Sequence, residues 1–547
     1  MNILLIATIK AVGIFSKAII TFMGEQQLWK YLEKLVEVSE VKIIKEFEQQ
    51  DDPKNDLKNF KQILKKQKQL LSFIESYSFI LANLKSQAPS EAFLLHFFKV
   101  CAIGVRHHRK LYPKYRDRLY AALAHFTMSL ANHKAPFMQW AKRFVRASLT
   151  ETLKIPDAVV FGAESPYESL KDAVTFWRDF IGREGVWTEF TCGHIYDELL
   201  QLIIEDIDHL NLTYKIEKAK EGEDTGVSYV ANNTTDQQYL ARLANFAEMF
   251  LLECKDVWFT RWLPTFCGIL VKKATQTPRI SKLYSLLKTA MIIAQRHKYF
   301  QRDDSFRGEK LNTYEMLLSF FKELIGKQQE YQDELLTSCL DLLLHVPVAL
   351  LHQEGGQDNI YLWKGVMLKA LDVGHAKSAH LALNSVAMLE QWFNALPMSV
   401  TVELYRDVLP RLSEFLHLED EQRARKAEKA AQDDLQDMLK SGSVVVERKE
   451  IANKVLDLLG KIGGHAHSII NCDETRKHEK ENFIKWDPEK RLKFTVPLYT
   501  TKVDIYLDAC LPKLVDLALQ SHDRDTRMPA CEFLHSVIIL MIGKNAT

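Results

Sequence analysis

Apolar residues recur along most of this chain at intervals of three and four, the spacing that lines up one face of a helix. Tyr405, Val408, Leu409, Leu412, Phe415 and Leu416 form one such stripe. Leu283, Leu286, Leu287, Ala290 and Ala294 form a second, Leu336, Leu340 and Leu343 a third, and Leu507, Leu511, Leu514 and Ala518 a fourth. Alternating β-branched runs bounded by turn residues are scarce. Tyr229 with Val230 and the stretch from Ser443 to Val446 come nearest, and both read as loop. The pattern predicts an all-α chain with strand content close to none: a HEAT/armadillo-like α-solenoid, in which antiparallel helix pairs stack into a superhelix.

A local motif sharpens this. Leu, Pro, any residue, then an apolar residue occurs at Leu263-Pro264-Thr265-Phe266, Leu409-Pro410-Arg411-Leu412 and Leu511-Pro512-Lys513-Leu514. Proline in a helix's first turn forfeits no hydrogen bond, because that N–H has no partner there. HEAT repeats carry such a proline in their first helix. The third instance continues through Leu517-Ala518-Leu519, an acidic turn His522-Asp523-Arg524-Asp525 suited to capping, and a second helix with Ala530, small enough for close approach, and Leu534. Polar stretches divide the array. The expected layout is helical repeats over 1–214, a polar loop over 215–238, central repeats over 239–418, a charged insert over 419–450 and HEAT-like repeats over 451–547. A shorter insert spans His465 to Asp487.

The 547 residues are 47% hydrophobic, enough to bury a large core, and the net charge is only +1. Global charge therefore argues for no nucleic-acid role, which would need a local basic face. Eight cysteines are scattered, none closer than Cys254 and Cys267, which fits reduced thiols and neither a zinc site nor a disulfide framework. Lys10 and Lys17 interrupt the apolar stretch from Met1 to Met23, so it reads as a solenoid helix running through Ile9, Val12, Gly13, Ser16 and Ile20. No later segment has the run of about 18 apolar residues that a membrane span requires. The triplets at Asn211 and Asn545 fit the glycosylation sequon and are read as chance.

Catalytic signatures are absent. Phosphoryl transfer needs a glycine-rich loop and a metal-binding acid, yet the chain has no G-x-G, D-F-G or G-K-[ST] string. No G-x-S-x-G elbow or H-E-x-x-H pair occurs, and no cofactor is expected. The close histidines, His107-His108 and His465-x-His467, point to different helix faces and make poor joint ligands. One basic cluster stands out: Arg106, Arg109, Lys110, Lys114, Arg116 and Arg118, with Lys142, Arg143 and Arg146 further on. Tyr112 and Tyr115 are interleaved, and Asp117 is the only acid from 106 to 118. Such a patch can meet phosphates. It can equally be a solvated helix end and loop, as charge runs usually are.

Longer strings point to a family. Trp486-Asp487-Pro488-Glu489-Lys490-Arg491-Leu492-Lys493-Phe494-Thr495-Val496-Pro497 follows a W-D-x-E-K-R-L-x-F-x-V-P pattern. Asp523-Arg524-x-Thr526 leads into Ala530-Cys531-Glu532-Phe533-Leu534-His535-Ser536, and Ile542-Gly543-Lys544 follows. Upstream stand Tyr331-Gln332-Asp333-Glu334-Leu335-Leu336-Thr337-Ser338-Cys339-Leu340, Tyr405-Arg406-Asp407-Val408-Leu409-Pro410 and Leu459-Gly460-Lys461-Ile462-Gly463-Gly464. In order and spacing these resemble the amino-terminal HEAT-repeat region of the DNA-dependent protein kinase catalytic subunits, within the phosphatidylinositol 3-kinase-related kinases. The resemblance runs from about Asp206 to the end and more thinly before it. It implies a nuclear, non-catalytic part of a serine/threonine protein kinase of non-homologous end joining. Its helical cradle would surround a double-stranded DNA end together with the Ku heterodimer and the rest of the kinase polypeptide. The family's kinase domain lies beyond the last residue here, so no catalytic residue carries over. Solenoids need polar capping units, and both ends here fall within helix pairs, so the chain reads as a fragment or an incomplete gene product. The alternative is a helical-repeat interaction scaffold of another giant kinase or of a nuclear transport receptor. Shared solenoid physics would reproduce the periodicity but not the W-D-x-E-K-R-L-x-F string.

Overall fold

A computed structural model describes residues 8, 11–12, 14–15, 18–19, 21–22, 24, 27–28, 30–37, 56–83, 100, 114–115, 118–119, 122, 174, 178, 189–212, 214–217, 228–231, 234–351, 357–416, 450–459, 484–486, 488–497 and 502–542. They fall into two compact units, 1–277 and 278–547. Of the inserts expected over 419–450 and 465–487, all but Glu450 and Ile484 to Trp486 lie outside the described residues.

In the first unit the described helices are α1 (Asp56–Asn83), α2 (Glu189–His209), α3 (Thr234–Glu253), α4 (Asp256–Phe259) and α5 (Leu263–Gln276). Arg261 and Trp262, at the start of α5, both donate to Asp197 Oδ1, the indole nitrogen at 2.7 Å. Eleven residues further along each chain segment, Lys272 reaches Asp208 at 3.4 Å. The sequence separation is 64 at both contacts, so α2 and α5 run parallel. Lys273 donates to the backbone carbonyls of Asp208 and Leu210, placing a cation on the electronegative end of α2.

The second unit repeats this arrangement with more helices: α6 (Ser281–Arg296), α7 (Glu309–Lys327), α8 (Asp333–Leu344), α9 (Val348–Leu351), α10 (Gln357–Lys377), α11 (Ala379–Ala395) and α12 (Met398–Glu414). Ser281 donates to Glu334 and Lys288 to Asp341, both across 53 residues, so α6 and α8 are parallel. Lys364 pairs with Asp407 and Arg411 with Asp372, so α10 and α12 are parallel too. Between α8 and α10 the order reverses. Trp363 donates to the carbonyl of Leu343, and Lys377, farther along α10, pairs with Asp333, farther back on α8. Alternating antiparallel neighbours, with parallel helices 39 to 64 residues apart, make an α-solenoid. Ser378 alone joins α10 to α11, and its hydroxyl caps α11 by accepting from the Leu381 amide at 3.3 Å.

Packing holds these helices, since helices of this length are marginal alone in water. Leu283, Leu286, Leu287, Ala290 and Ala294 are buried on α6, as are Tyr405, Val408, Leu409, Leu412 and Leu416 in and just after α12. Trp363, Trp392 and Tyr405 are among the largest wholly enclosed side chains, each contributing roughly 1.5–3 kcal/mol or more by burial. The periodic stripes therefore are the core. In the amino-terminal stretch Val12 is buried while Ile14, Phe15 and Phe22 are exposed; Ile9, Gly13, Ser16 and Ile20 lie outside the described residues.

Three expectations need correction. Pro264 and Pro512 do sit in the first turns of α5 and α13 (Leu511–Gln520), but Pro410 lies inside α12. The apolar face continues past it through Leu412, so packing keeps the helix intact despite the missing N–H. Arg411 supplies a side-chain donor to the Asp407 carbonyl at 3.1 Å, and the helix ends at Glu414. Secondly, Lys215 to Glu217 and Ser228 to Ala231 are not loop. They belong to β1 (Tyr214–Glu217) and β2 (Ser228–Ala231), an antiparallel ribbon in which Val230 faces Lys215 and Tyr229 faces Ile216 in register. Thirdly, the W-D-x-E-K-R-L-x-F string forms strands. β3 (Ile484–Trp486), β4 (Leu492–Pro497) and β5 (Lys502–Tyr506) make an antiparallel sheet in the order β3-β4-β5. Its alternation is short but real. Leu492, Phe494, Val503 and Ile505 are buried, while Lys493 and Thr495 both donate to Asp504, at 2.8 and 2.6 Å. The Leu507 amide bonds the Leu492 carbonyl at 2.9 Å, so Leu507 anchors the sheet to α13 instead of lying on that helix. α13 then packs against α14 (Arg524–Ile542), the expected HEAT-like pair, with Ala530 buried.

Candidate functional site

Of the basic cluster, Lys114 and Arg118 are described, one helical turn apart. Lys114 is exposed. Arg118 is not a free cation: its guanidinium makes a two-pronged contact with Glu75 of α1, Nε to Oε1 at 2.7 Å and a terminal nitrogen to Oε2 at 2.6 Å. The hydrogen bond donated to Glu75 raises the guanidinium pKa further against the opposing effect of burial. Arg118 also lies 5.9 Å from the Tyr115 ring centroid. Planar bidentate pairs of this kind fix geometry as well as charge. Arg118 thus fastens its segment to α1, and Lys114 projects from the same side of the turn. Arg106, Arg109, Lys110, Arg116, Lys142, Arg143 and Arg146 lie outside the described residues.

Among the described residues stands a buried polar cluster that motif reasoning missed. Asp341 interrupts the apolar run of α8 and is only 7% exposed. Lys288 of α6 donates to one carboxylate oxygen at 2.8 Å, and Asn384 of α11 donates to the other at 2.8 Å. His345 Nδ1 lies 2.8 Å from the Asp341 carbonyl; a carbonyl only accepts, so this nitrogen carries the proton. Burial holds the His345 pKa below its usual value despite the adjacent carboxylate, aided by Lys288 and His380. One acid therefore joins three helices. A charged residue inside a leucine run was the signal for it.

This arrangement positions helices and offers no reacting group. Cys267, Cys339 and Cys510 are buried with thiol pKa values pushed up to about 12, mainly by burial, so they are poor nucleophiles. Among the described residues no group of three His, Cys, Asp or Glu side chains is placed to hold a metal ion, and no helix is long and apolar enough to cross a membrane.

A sequence profile described as "DNA-PKcs, N-terminal" matches residues 168–457. The DNA-dependent protein kinase catalytic subunit of Xenopus laevis is 29% identical over 389 residues, covering 64% of this chain. That of Dictyostelium discoideum is 22% identical over an alignment covering 98% of it. The chain spans 9% of the frog protein's length and 15% of the Dictyostelium protein's. Among solved structures, a homology model of the full-length AP-3 complex aligns over 95% of both chains at 12% identity, with a TM-score of 0.26, too low to assign a shared architecture.

Proposed function

The chain belongs to the family of DNA-dependent protein kinase catalytic subunit amino-terminal regions, and from that premise we propose that it is a non-catalytic scaffold in a nuclear kinase of double-strand break repair. In this reading it acts in non-homologous end joining. Its solenoid forms part of a cradle for a double-stranded DNA end, held with the Ku heterodimer and the rest of the kinase polypeptide. The match over residues 168–457 carries the reading. The packing supports it: parallel helices repeat down the chain, and the buried polar groups are spent on joining helices. Phosphate chemistry belongs elsewhere in the full-length kinase, since the chain has no glycine-rich loop.

With a net charge of +1, any contact with a duplex rests on a local face. The candidates remain Arg106, Arg109, Lys110, Lys114, Arg116 and Lys142, Arg143 and Arg146, with Arg118 first having to release Glu75. A gel-shift titration of the chain against a Ku-bound blunt duplex tests the reading directly. Supershifting of the Ku complex, weakening steeply with salt as counterion release requires, is the expected result. Changing Arg109, Lys110 and Lys114 together to Glu should abolish it with helical circular dichroism unchanged. A supershift that survives the triple change assigns the contact elsewhere, and saturable magnesium-dependent ATP binding by this chain would refute the non-catalytic assignment.

A further inference from the structure

The first turns of α13 border an open groove of about 480 Å³ in the second unit. Leu492 at the start of β4 lines it together with Leu511, Pro512 and Val515, and the exposed Asp508 and Asp516 complete the lining. The groove exists because α13 has two apolar faces. Leu514 and Leu517 are buried, whereas Val515 is 39% exposed and Leu519, one turn further, 78%. Leu511, Val515 and Leu519 are spaced by four, so they form a single stripe leading out of the groove. The wall is fixed in place. The Leu507 amide bonds the Leu492 carbonyl at 2.9 Å, the Leu511 amide bonds the Leu507 carbonyl at 2.9 Å, and Pro512 stiffens the helix start.

The two carboxylates decide what fits. Asp508 and Asp516 are both exposed, and neither has an ion-pair partner among the described residues. The basic side chains of the same elements are turned to other tasks. Lys513 donates to the Ser413 carbonyl at 2.6 Å, Lys493 holds Asp504, and Arg491 lies 4.3 Å over the Tyr506 ring while pairing with Glu489. An apolar stripe with two unneutralised carboxylates beside it complements an aliphatic side chain flanked by cations. Burying the aliphatic group also shields the ion pairs beside it, which strengthens them.

We propose that this groove is a docking site for a short protein segment that presents leucine-like side chains at helical spacing, flanked by lysine or arginine. Specificity comes from the sign of the flanking charge, because the apolar wall alone would accept an acidic amphipathic segment equally. The proposal stands independently of the DNA-end reading.

The test uses the full 547-residue chain. Fluorescence anisotropy measures binding of three labelled synthetic helical peptides: one of leucine and lysine, one of leucine and glutamate, and one with serine replacing leucine but lysine kept. The leucine–lysine peptide should bind at least tenfold more tightly than either of the others. Val515→Asp with Leu519→Asp should weaken it at least tenfold. Asp508→Asn with Asp516→Asn, a surface change that leaves the helix core alone, should do the same and should remove the discrimination between lysine and glutamate peptides. Sedimentation of the same variants examines self-association. Absence of binding to the unmodified chain, or binding by either double variant as tight as that of the unmodified chain, overturns the proposal. Self-association that the Val515→Asp/Leu519→Asp change abolishes and the leucine–lysine peptide does not compete away assigns the groove to a second copy, and overturns it as well.

Discussion

Asp341 shows what a single residue does here. Its carboxylate takes donors from two other helices, Lys288 and Asn384, while its backbone carbonyl takes His345 from its own. Removing one side of a buried pair leaves the other charge uncompensated. Asp341→Ala should therefore destabilise the second unit by about 3 kcal/mol, read as a lowered urea midpoint and faster amide exchange in α6, α8 and α11. His345 makes a separate prediction. Its pKa is depressed in the folded state, chiefly by burial, so the unfolded chain takes up a proton first as the pH falls. The stability it contributes is present above the unfolded value near 6.5 and is lost as the pH falls towards the folded value, with a slope of at most about 1.4 kcal/mol per pH unit. His345→Gln should flatten that part of the stability–pH curve; an unchanged slope would exclude His345 as its source. The acid was legible in the sequence as a break in a leucine run. Its partners were not, because they depend on the register between helices. The same holds for Arg118. Its charge was visible, but its task is set by Glu75, 43 residues upstream.

At the scale of elements, the helices were readable because a period near 3.6 persists over many residues, and the burial of the α6 and α12 stripes follows it. The strands were not, since β3 to β5 are three to six residues long and sit between helical segments, too short for alternation to outweigh the surrounding pattern. Phe494 faces Ile505 across that sheet, both buried. Phe494→Ala should cost about 3–5 kcal/mol and release the tether between Leu492 and Leu507, seen as loss of amide protection at Leu507 ahead of α13. Gly374 of α10 was also invisible beforehand. A side-chain carbon there would lie 2.8 Å from the Ala382 amide nitrogen and 2.9 Å from its Cα on α11. Backbone cannot yield as a flexible side chain does, so Gly374→Ala should force α10 and α11 apart at a cost of about 1–3 kcal/mol, although alanine is the better helix former. A stabilised variant would refute the close-approach role.

Over the whole molecule, sequence and structure meet in the separations between paired residues. Asp341 to Asn384 and Lys364 to Asp407 each span 43 residues, which is the repeat expressed as contacts. Arg118–Glu75 spans 43 residues as well, so in the candidate DNA-facing cluster Arg118 carries that spacing in a contact within the chain. A surface for a partner is set by what the partner presents, whereas a core is set by the chain's own spacing. Nearest-neighbour packing also has a mechanical side. A chain whose helices touch mainly the next ones along can be drawn out from its ends one pair at a time, each rupture leaving its neighbours in place. Releasing α10 and α11, of 21 and 17 residues, frees on the order of 100 Å of slack. Pulled in an optical trap, the second unit should lengthen in a staircase of such steps, with the step that releases α10 and α11 moved to lower force by Gly374→Ala. A scaffold packed in this way is a spring, yielding by increments under load and recoiling when the load is gone.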